Sequence, residues 1–211
     1  MATGFWRFVA AQLRRPSGLT GGWLLPRLWN RRNRALNDAA FAALAPCAGD
    51  RVLEIGFGGG YLLARIAGAV GDGRLAGVDA SAAIVNHCRR RFRALVRGGT
   101  MSLECADVAA LPFPPASFDK VCAVNTIFYW DDAPQAFAEI ARVMAAGGAL
   151  ILVFTDKAAL DHRPFAGPGV ATYAIDEVRQ MLGRAGFGDV AAAPQEDRYR
   201  RFWRVVARRP G

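Results

Sequence analysis

Gly56, Gly58 and Gly60 stand on alternate positions directly after Val52-Leu53-Glu54-Ile55 and just before Tyr61-Leu62-Leu63. Glycines so placed leave backbone N–H groups free of Cβ atoms and open the following helix N-terminus to a ligand, which is the chemistry of a nucleotide-binding turn. About twenty residues on, where such folds place an acceptor for ribose hydroxyls, Asp79 ends the run Leu75-Ala76-Gly77-Val78. A dinucleotide fingerprint would need G-x-G-x-x-G, and its third glycine would fall on Tyr61. Asp107, just past Met101-Ser102-Leu103-Glu104-Cys105, is a second acid at a strand end. Asn125-Thr126-Ile127-Phe128-Tyr129-Trp130 adds an amide and three aromatics that can wall a pocket, at least one of them packing on the next helix instead. No catalytic residue is fixed by these patterns. Tyr129 is one candidate and His162, whose residue type titrates near neutrality, is another, with a surface histidine of no consequence as the alternative for the latter.

These residues need a scaffold that brings strand ends together. Val52, Leu53 and Ile55 suit a central strand, Leu75 to Val78 a second, and the apolar positions of residues 101–105, 120–124 and 149–153 three more. Between them lie helical patterns. Leu62, Leu63, Ile66, Ala69 and Val70 share one face, and so do Ile84, Cys88, Phe92 and Leu95 after the N-cap Ser81. Asp132 and Pro134 open a helix that buries Phe137, Ile140 and Met144. Asp176 and Glu177 open another, through Val178, Met181 and Leu182, that stops at Gly186. Residues 190–193 and 202–207 read as two closing strands with a polar connection. Strict alternation of strand and helix predicts an α/β, doubly wound, mostly parallel sheet.

Taken together, Glu54 with the tight Gly56-x-Gly58-x-Gly60, the strand-end acids Asp79 and Asp107, Leu111-Pro112-Phe113 with Ser117-Phe118-Asp119, and Arg142-Val143-Met144 with Gly147-Gly148 resemble the class I, Rossmann-like methyltransferases that use S-adenosylmethionine (SAM). Ala145-Ala146 stand where that family commonly has Lys-Pro. The resemblance covers about residues 35–208 and implies a seven-stranded sheet ending in an antiparallel hairpin. It further implies that Glu54, Gly56, Gly58 and Gly60 surround the methionine part of SAM, that Asp79 with neighbouring Ala80 holds the ribose, and that Asp107 and Val108 fix the adenine. Asn125 would lie beside the methyl group, and Phe128, Tyr129 and Trp130 would face the acceptor. The implied reaction is methyl transfer to a small molecule, leaving S-adenosylhomocysteine (SAH), with no metal. The acceptor and its atom (O, N or C) stay open, and so does the oligomeric state.

Composition bounds the alternatives. The 211 residues carry a net charge of +9, and Lys120 and Lys157 are the only lysines. Arginines cluster at positions 14–34, 89–93 and 198–209, which permits nucleic acid or an anionic membrane surface as a partner and keeps an RNA methyltransferase and a lipid or quinone methyltransferase as alternatives. The sequence Asn125-Thr126-Ile127-Phe128 is not the N-P-P-[YF] of amino-methylating nucleic-acid enzymes, so nucleic acid is the less favoured substrate. Phe5, Trp6, Phe8, Trp23 and Trp29 interleave with arginines and are the residues that would enter a headgroup layer. Residues 1–34 read as a segment covering the substrate, and 35–211 as the methyltransferase domain. No apolar run is long enough to span a membrane and no cleavage pattern follows the N-terminus, so the expected location is cytoplasmic. Cys47, Cys88, Cys105 and Cys122 lack C-x-x-C spacing, and with two histidines they predict buried, reduced thiols and not a zinc site.

Overall fold

The computed structural model describes residues 32–161 and 170–211. In chain order these form α1 (Arg34–Leu44), β1 (Arg51–Ile55), α2 (Tyr61–Ala67), β2 (Arg74–Asp79), α3 (Ala82–Arg91), α4 (Arg93–Arg97), β3 (Met101–Cys105), β4 (Phe118–Val124), a 3-10 turn (Ile127–Tyr129), α5 (Ala133–Val143), β5 (Met144–Thr155), α6 (Lys157–Asp161), α7 (Ile175–Arg184), β6 (Gly188–Glu196) and β7 (Arg201–Arg208). The strands make one sheet in the order β3-β2-β1-β4-β5-β7-β6. β1 to β5 run parallel, and β7 is antiparallel to both β5 and β6. All five parallel strands therefore end on one edge of the sheet. Thr155 pairs with Phe202, so the β6–β7 hairpin tip turns back to that same edge. The strand order reverses between β1 and β4, the place where open α/β sheets form their ligand crevice.

Period-two alternation splits each strand between two cores. Leu53, Ile55, Val121, Ala123, Leu150 and Leu152 face α5 and α7, through Phe137, Ile140, Val178 and Leu182. Val52, Leu75, Leu103, Cys122 and Ile151 face α1, α2 and α3, through Leu36, Ala40, Leu63, Ile66, Ile84 and Cys88. Glu54 alternates with Val52 and so falls on this second face. Local chemistry sets the helix boundaries: Ser81 Oγ accepts from Ile84 N, Asp132 Oδ1 accepts from Gln135 N with Pro134 in the first turn, and Glu177 accepts from Ala174 N at 2.6 Å.

The helix expected to run on through Phe92 and Leu95 breaks at Phe92, whose φ of −104° and ψ of 25° leave the helical region. Its ring fills the space beside Gly60, where a Cβ would come within 2.7 Å of Phe92 Cε2. At the opposite edge, Arg51 grips Asp119 with Nε at 3.1 Å and Nη2 at 2.6 Å, and Arg51 N adds a bond of 3.0 Å, tying β1 to β4. Both sheet edges carry obstructions. On β3, the Arg89 guanidinium donates to Leu103 O and reaches Glu104. On β6, the pairing shifts between Gly188 and Ala191, Asp189 adopts φ 47°, and Pro194 offers no N–H.

The thiols correct one expectation: Cys88 and Cys122 are buried, but Cys47 and Cys105 lie at the surface, and all four are free. Among the described residues no helix is long and apolar enough to cross a membrane, and no cluster of His, Cys, Asp and Glu could hold a metal.

Candidate cofactor site

The three loop glycines have different reasons for being glycine. All have positive φ: 70° at Gly56, 49° at Gly58 and 70° at Gly60. A Cβ on Gly56 would lie 2.2 Å from Thr126 Cγ2, and one on Gly60 would meet Phe92 and Cys88. Close packing inside the protein demands those two. A Cβ on Gly58 meets nothing within 4 Å, so this is the glycine that opens outward. Packing inside the protein is thus a second reason for glycine at Gly56 and Gly60, beside the ligand contact that the resemblance implies for all three. Arg91 reinforces the loop by donating to Gly59 O, and Cys88 Sγ lies 3.4 Å from Gly58 O.

Asp79 is the hinge between this loop and β2. Its Oδ2 accepts from Gly58 N at 3.1 Å and its Oδ1 from Ser81 N at 2.9 Å. Burial raises its pKa above the usual carboxylate range, while these two bonds hold it down. Ala80 beside it is exposed. Glu54 lies deeper, only 3% exposed. Its carboxylate accepts from Leu63 N in the first turn of α2, yet Oε2 is buried with no hydrogen-bond partner. Burial, and then the negative charge of Asp79, push its pKa well above that of an ordinary carboxyl. A carboxylate oxygen held dry and unpartnered beside an opening loop is complementary to a cation. Thr126 Oγ1, flanking Gly56, is likewise buried without a partner, and nothing in its residue type had marked it.

The other predicted residues divide between the crevice and its frame. Asp107 is exposed, and its Oδ1 accepts from Ala109 N at 2.9 Å in the turn that follows β3; Val108 behind it is 7% exposed. Asn125 adopts φ 59° and is engaged inside the protein: Oδ1 accepts from Thr155 N at 3.0 Å and Thr155 Oγ1 at 2.9 Å, and Nδ2 faces Asn33 Oδ1 at 3.5 Å. Arg200, from the hairpin tip, donates to Asn33 Oδ1 at 3.0 Å and Arg32 O at 2.5 Å. Asn33, Thr155 and Arg200 join three distant stretches of chain, a juxtaposition with no local sequence signal.

Phe128 and Trp130 are buried, the first edge-on to Phe154 at 6.4 Å between ring centroids, the second edge-on to Phe137 at 5.4 Å. Tyr129 is half-buried, and burial pushes its hydroxyl up to about 12. Ala171 N donates to Phe128 O at 2.9 Å, so the chain entering α7 lies across this turn. His162, and residues 1–31 of the expected covering segment, lie outside the described residues.

A parallel sheet that reverses order beside a glycine loop, with acids at the ends of its first two strands, defines a nucleotide-type crevice, and comparison with known proteins gives its class. A family model described as a methyltransferase domain matches residues 52–148. An uncharacterized methyltransferase of Bacillus subtilis, YdaC, is 30% identical over 165 residues, 78% of this chain and 82% of that protein. The chain belongs to the methyltransferase family. The 27-O-demethylrifamycin SV methyltransferase of Amycolatopsis mediterranei is 29% identical over 197 residues, covering 86% of this chain and 72% of that enzyme. The match spans only 54–58% of the length of three fungal O-methyltransferases that are also similar. Among solved structures, the SAM-dependent methyltransferase of Mesorhizobium loti superposes with a TM-score of 0.67 at 17% identity, over 82% of this chain and 96% of that one, and shares the fold.

Proposed function

We propose that this methyltransferase binds SAM in the crevice between the glycine loop and the β4 end and methylates a small molecule there. The observation that carries the reading is Glu54 Oε2, a buried carboxylate oxygen with no partner. Its complement is an ammonium such as that of the SAM methionine part. The residues present fit the rest of the cofactor. Gly58 opens on free space. Asp79 holds the loop and keeps acceptor capacity for ribose hydroxyls, and Asp107 with Val108 stands at the third strand end for the adenine.

SAM supplies a methyl group already activated by its sulfonium. What this chain supplies is alignment and exclusion of water. Asn125, held in a left-handed conformation at the end of β4 by its bonds to Thr155, and Tyr129 in the turn that follows are the residues we assign beside the methyl group and the acceptor. Burial raises the Tyr129 hydroxyl to about 12, so it is protonated at neutral pH. The small-molecule assignment is supported by the rifamycin and fungal O-methyltransferases among the relatives.

Titration calorimetry with the full chain tests the cofactor. SAM and SAH should bind and NAD should not, because Tyr61 stands at the third-glycine position. Binding of NAD with none of SAH would overturn the reading.

A further inference from the structure

Thr126 holds the position that caps the 3-10 turn Ile127–Tyr129, where a threonine hydroxyl ordinarily accepts from a backbone N–H of the turn. Here the side chain makes no such bond. Tyr129 N donates to the Thr126 carbonyl at 2.9 Å, and the side chain packs on the glycine loop instead. Its Cγ2 takes the room that a Cβ on Gly56 would need, lying 2.2 Å from that position, with Oγ1 at 3.4 Å. A β-branched side chain seated in this way is fixed at χ1, so the hydroxyl is held beside the loop. Oγ1 is nevertheless buried without a partner.

Among the described residues, the buried side-chain oxygens left without a partner are Thr126 Oγ1 and Glu54 Oε2. They belong to neighbouring strand ends. β1 and β4 pair in register at Ile55 and Ala123, so Glu54 stands just before Gly56 on its own chain and Thr126 packs against Gly56 from the next. The two oxygens do not satisfy each other. Buried polar groups are rarely left unmet, and two at one turn call for a ligand group that donates more than one hydrogen bond. A carboxylate would be repelled by Glu54, and a hydroxyl has one proton to give; an ammonium has three. We infer that Thr126 Oγ1 is a second ligand to the amino group of SAM, accepting from one of its N–H groups while Glu54 accepts from another, and so sets a preference for a cofactor that carries that group. The inference rests on the reading of the crevice as a SAM site.

The test is calorimetric titration of the full chain with SAH and with methylthioadenosine, which keeps the adenosine and the sulfur but lacks the amino-acid part. Thr126→Val preserves the shape and the contact with Gly56 and removes only the hydroxyl. It should bind SAH about tenfold more weakly than wild type, the loss of one hydrogen bond to a charged group, and bind methylthioadenosine as wild type does. Without ligand it should melt no lower, because an unmet hydroxyl has gone. Thr126→Ser restores the hydroxyl and should recover most of the SAH affinity. Equal SAH affinity in wild type and the valine variant would overturn the inference. So would an equal loss for both ligands, which would make Thr126 a support of the loop. A wild type that binds no SAH would remove the SAM reading itself, and the inference with it.

Discussion

Replacing Glu54 with Gln should stabilise the ligand-free protein while weakening its hold on SAH. The wild-type carboxylate keeps one oxygen on Leu63 N and leaves Oε2 dry and unpaired, with the Asp79 charge nearby. Leaving a buried polar group unsatisfied costs about 1–3 kcal/mol, more when it is charged. A neutral amide relieves the charged part, so a gain of about 1–2 kcal/mol is expected, or about 2–8 °C in a chain of this size. The same change removes a charge-assisted bond of about 1.5–3 kcal/mol to the ligand ammonium, which lowers SAH affinity by about 10- to 150-fold.

The pH dependence carries the same signature. A carboxyl whose folded pKa is raised binds more protons in the folded state than in the unfolded one, so stability falls as pH rises from the unfolded value, near 4, through the raised folded value. The ligand-free wild type should show that loss relative to the Gln variant, whose curve lacks it. Calorimetric melts across pH 4–8 and SAH titrations of both proteins decide the matter. A Gln variant that melts lower without ligand, or that binds SAH as tightly as wild type, would refute the reasoning.

Gly58→Ala should lower stability by only about 1–2 kcal/mol, the cost of a left-handed alanine, and mainly reduce SAH affinity, whereas Gly56→Ala, driven into Thr126, should fail to give a cooperative melt; equal behaviour of the two would sink the distinction between the glycines. Asp79→Ala should weaken SAH binding by about tenfold or more and also lower the melting temperature by a few degrees, since it frees Gly58 N and Ser81 N; unchanged affinity would reduce Asp79 to a loop fastener. Asp119→Ala should cost about 1 kcal/mol, discounted because both partners are part-exposed, and leave SAH affinity alone. Its carboxyl is held below the usual range by Arg51, so the contribution is present above about pH 4 and disappears as the solution is acidified below it, a trend that melts at pH 3 and 6 would register.

The strands and the glycine loop were legible because apolar runs and glycine spacing are local signals. Ser81 and Asp132 announced their helices for the same reason. The break at Phe92 was not legible: Ile84, Cys88, Phe92 and Leu95 keep a helical period, and the ring's packing beside Gly60, distant in sequence, has no local signal. The duties of the arginines were equally hidden. Arg89, Arg91 and Arg209 donate to the carbonyls of Leu103, Gly59 and Met144, and a backbone oxygen has no sequence signature. Glu54 was visible as an acid before a glycine turn, but its unpaired oxygen is a property of packing. Thr126, Asn33 and Arg200 became site residues only when the strand ends met.

The obstructed sheet margins bear on how this chain behaves at high concentration. A seven-stranded sheet open at both sides is a template for stacking chain upon chain through unpaired N–H and C=O groups. At one margin the Leu103 carbonyl is already taken by a guanidinium, and the Glu104 side chain beside it is drawn into the same arginine. At the other, an irregular register and a proline interrupt the ladder before it can be copied. Arg89 thus occupies an acceptor that edge-to-edge stacking would need. Exchanging it for a small neutral residue should leave the fold intact and show its effect as faster loss of soluble protein during refolding, with a dependence on concentration that the native sequence suppresses.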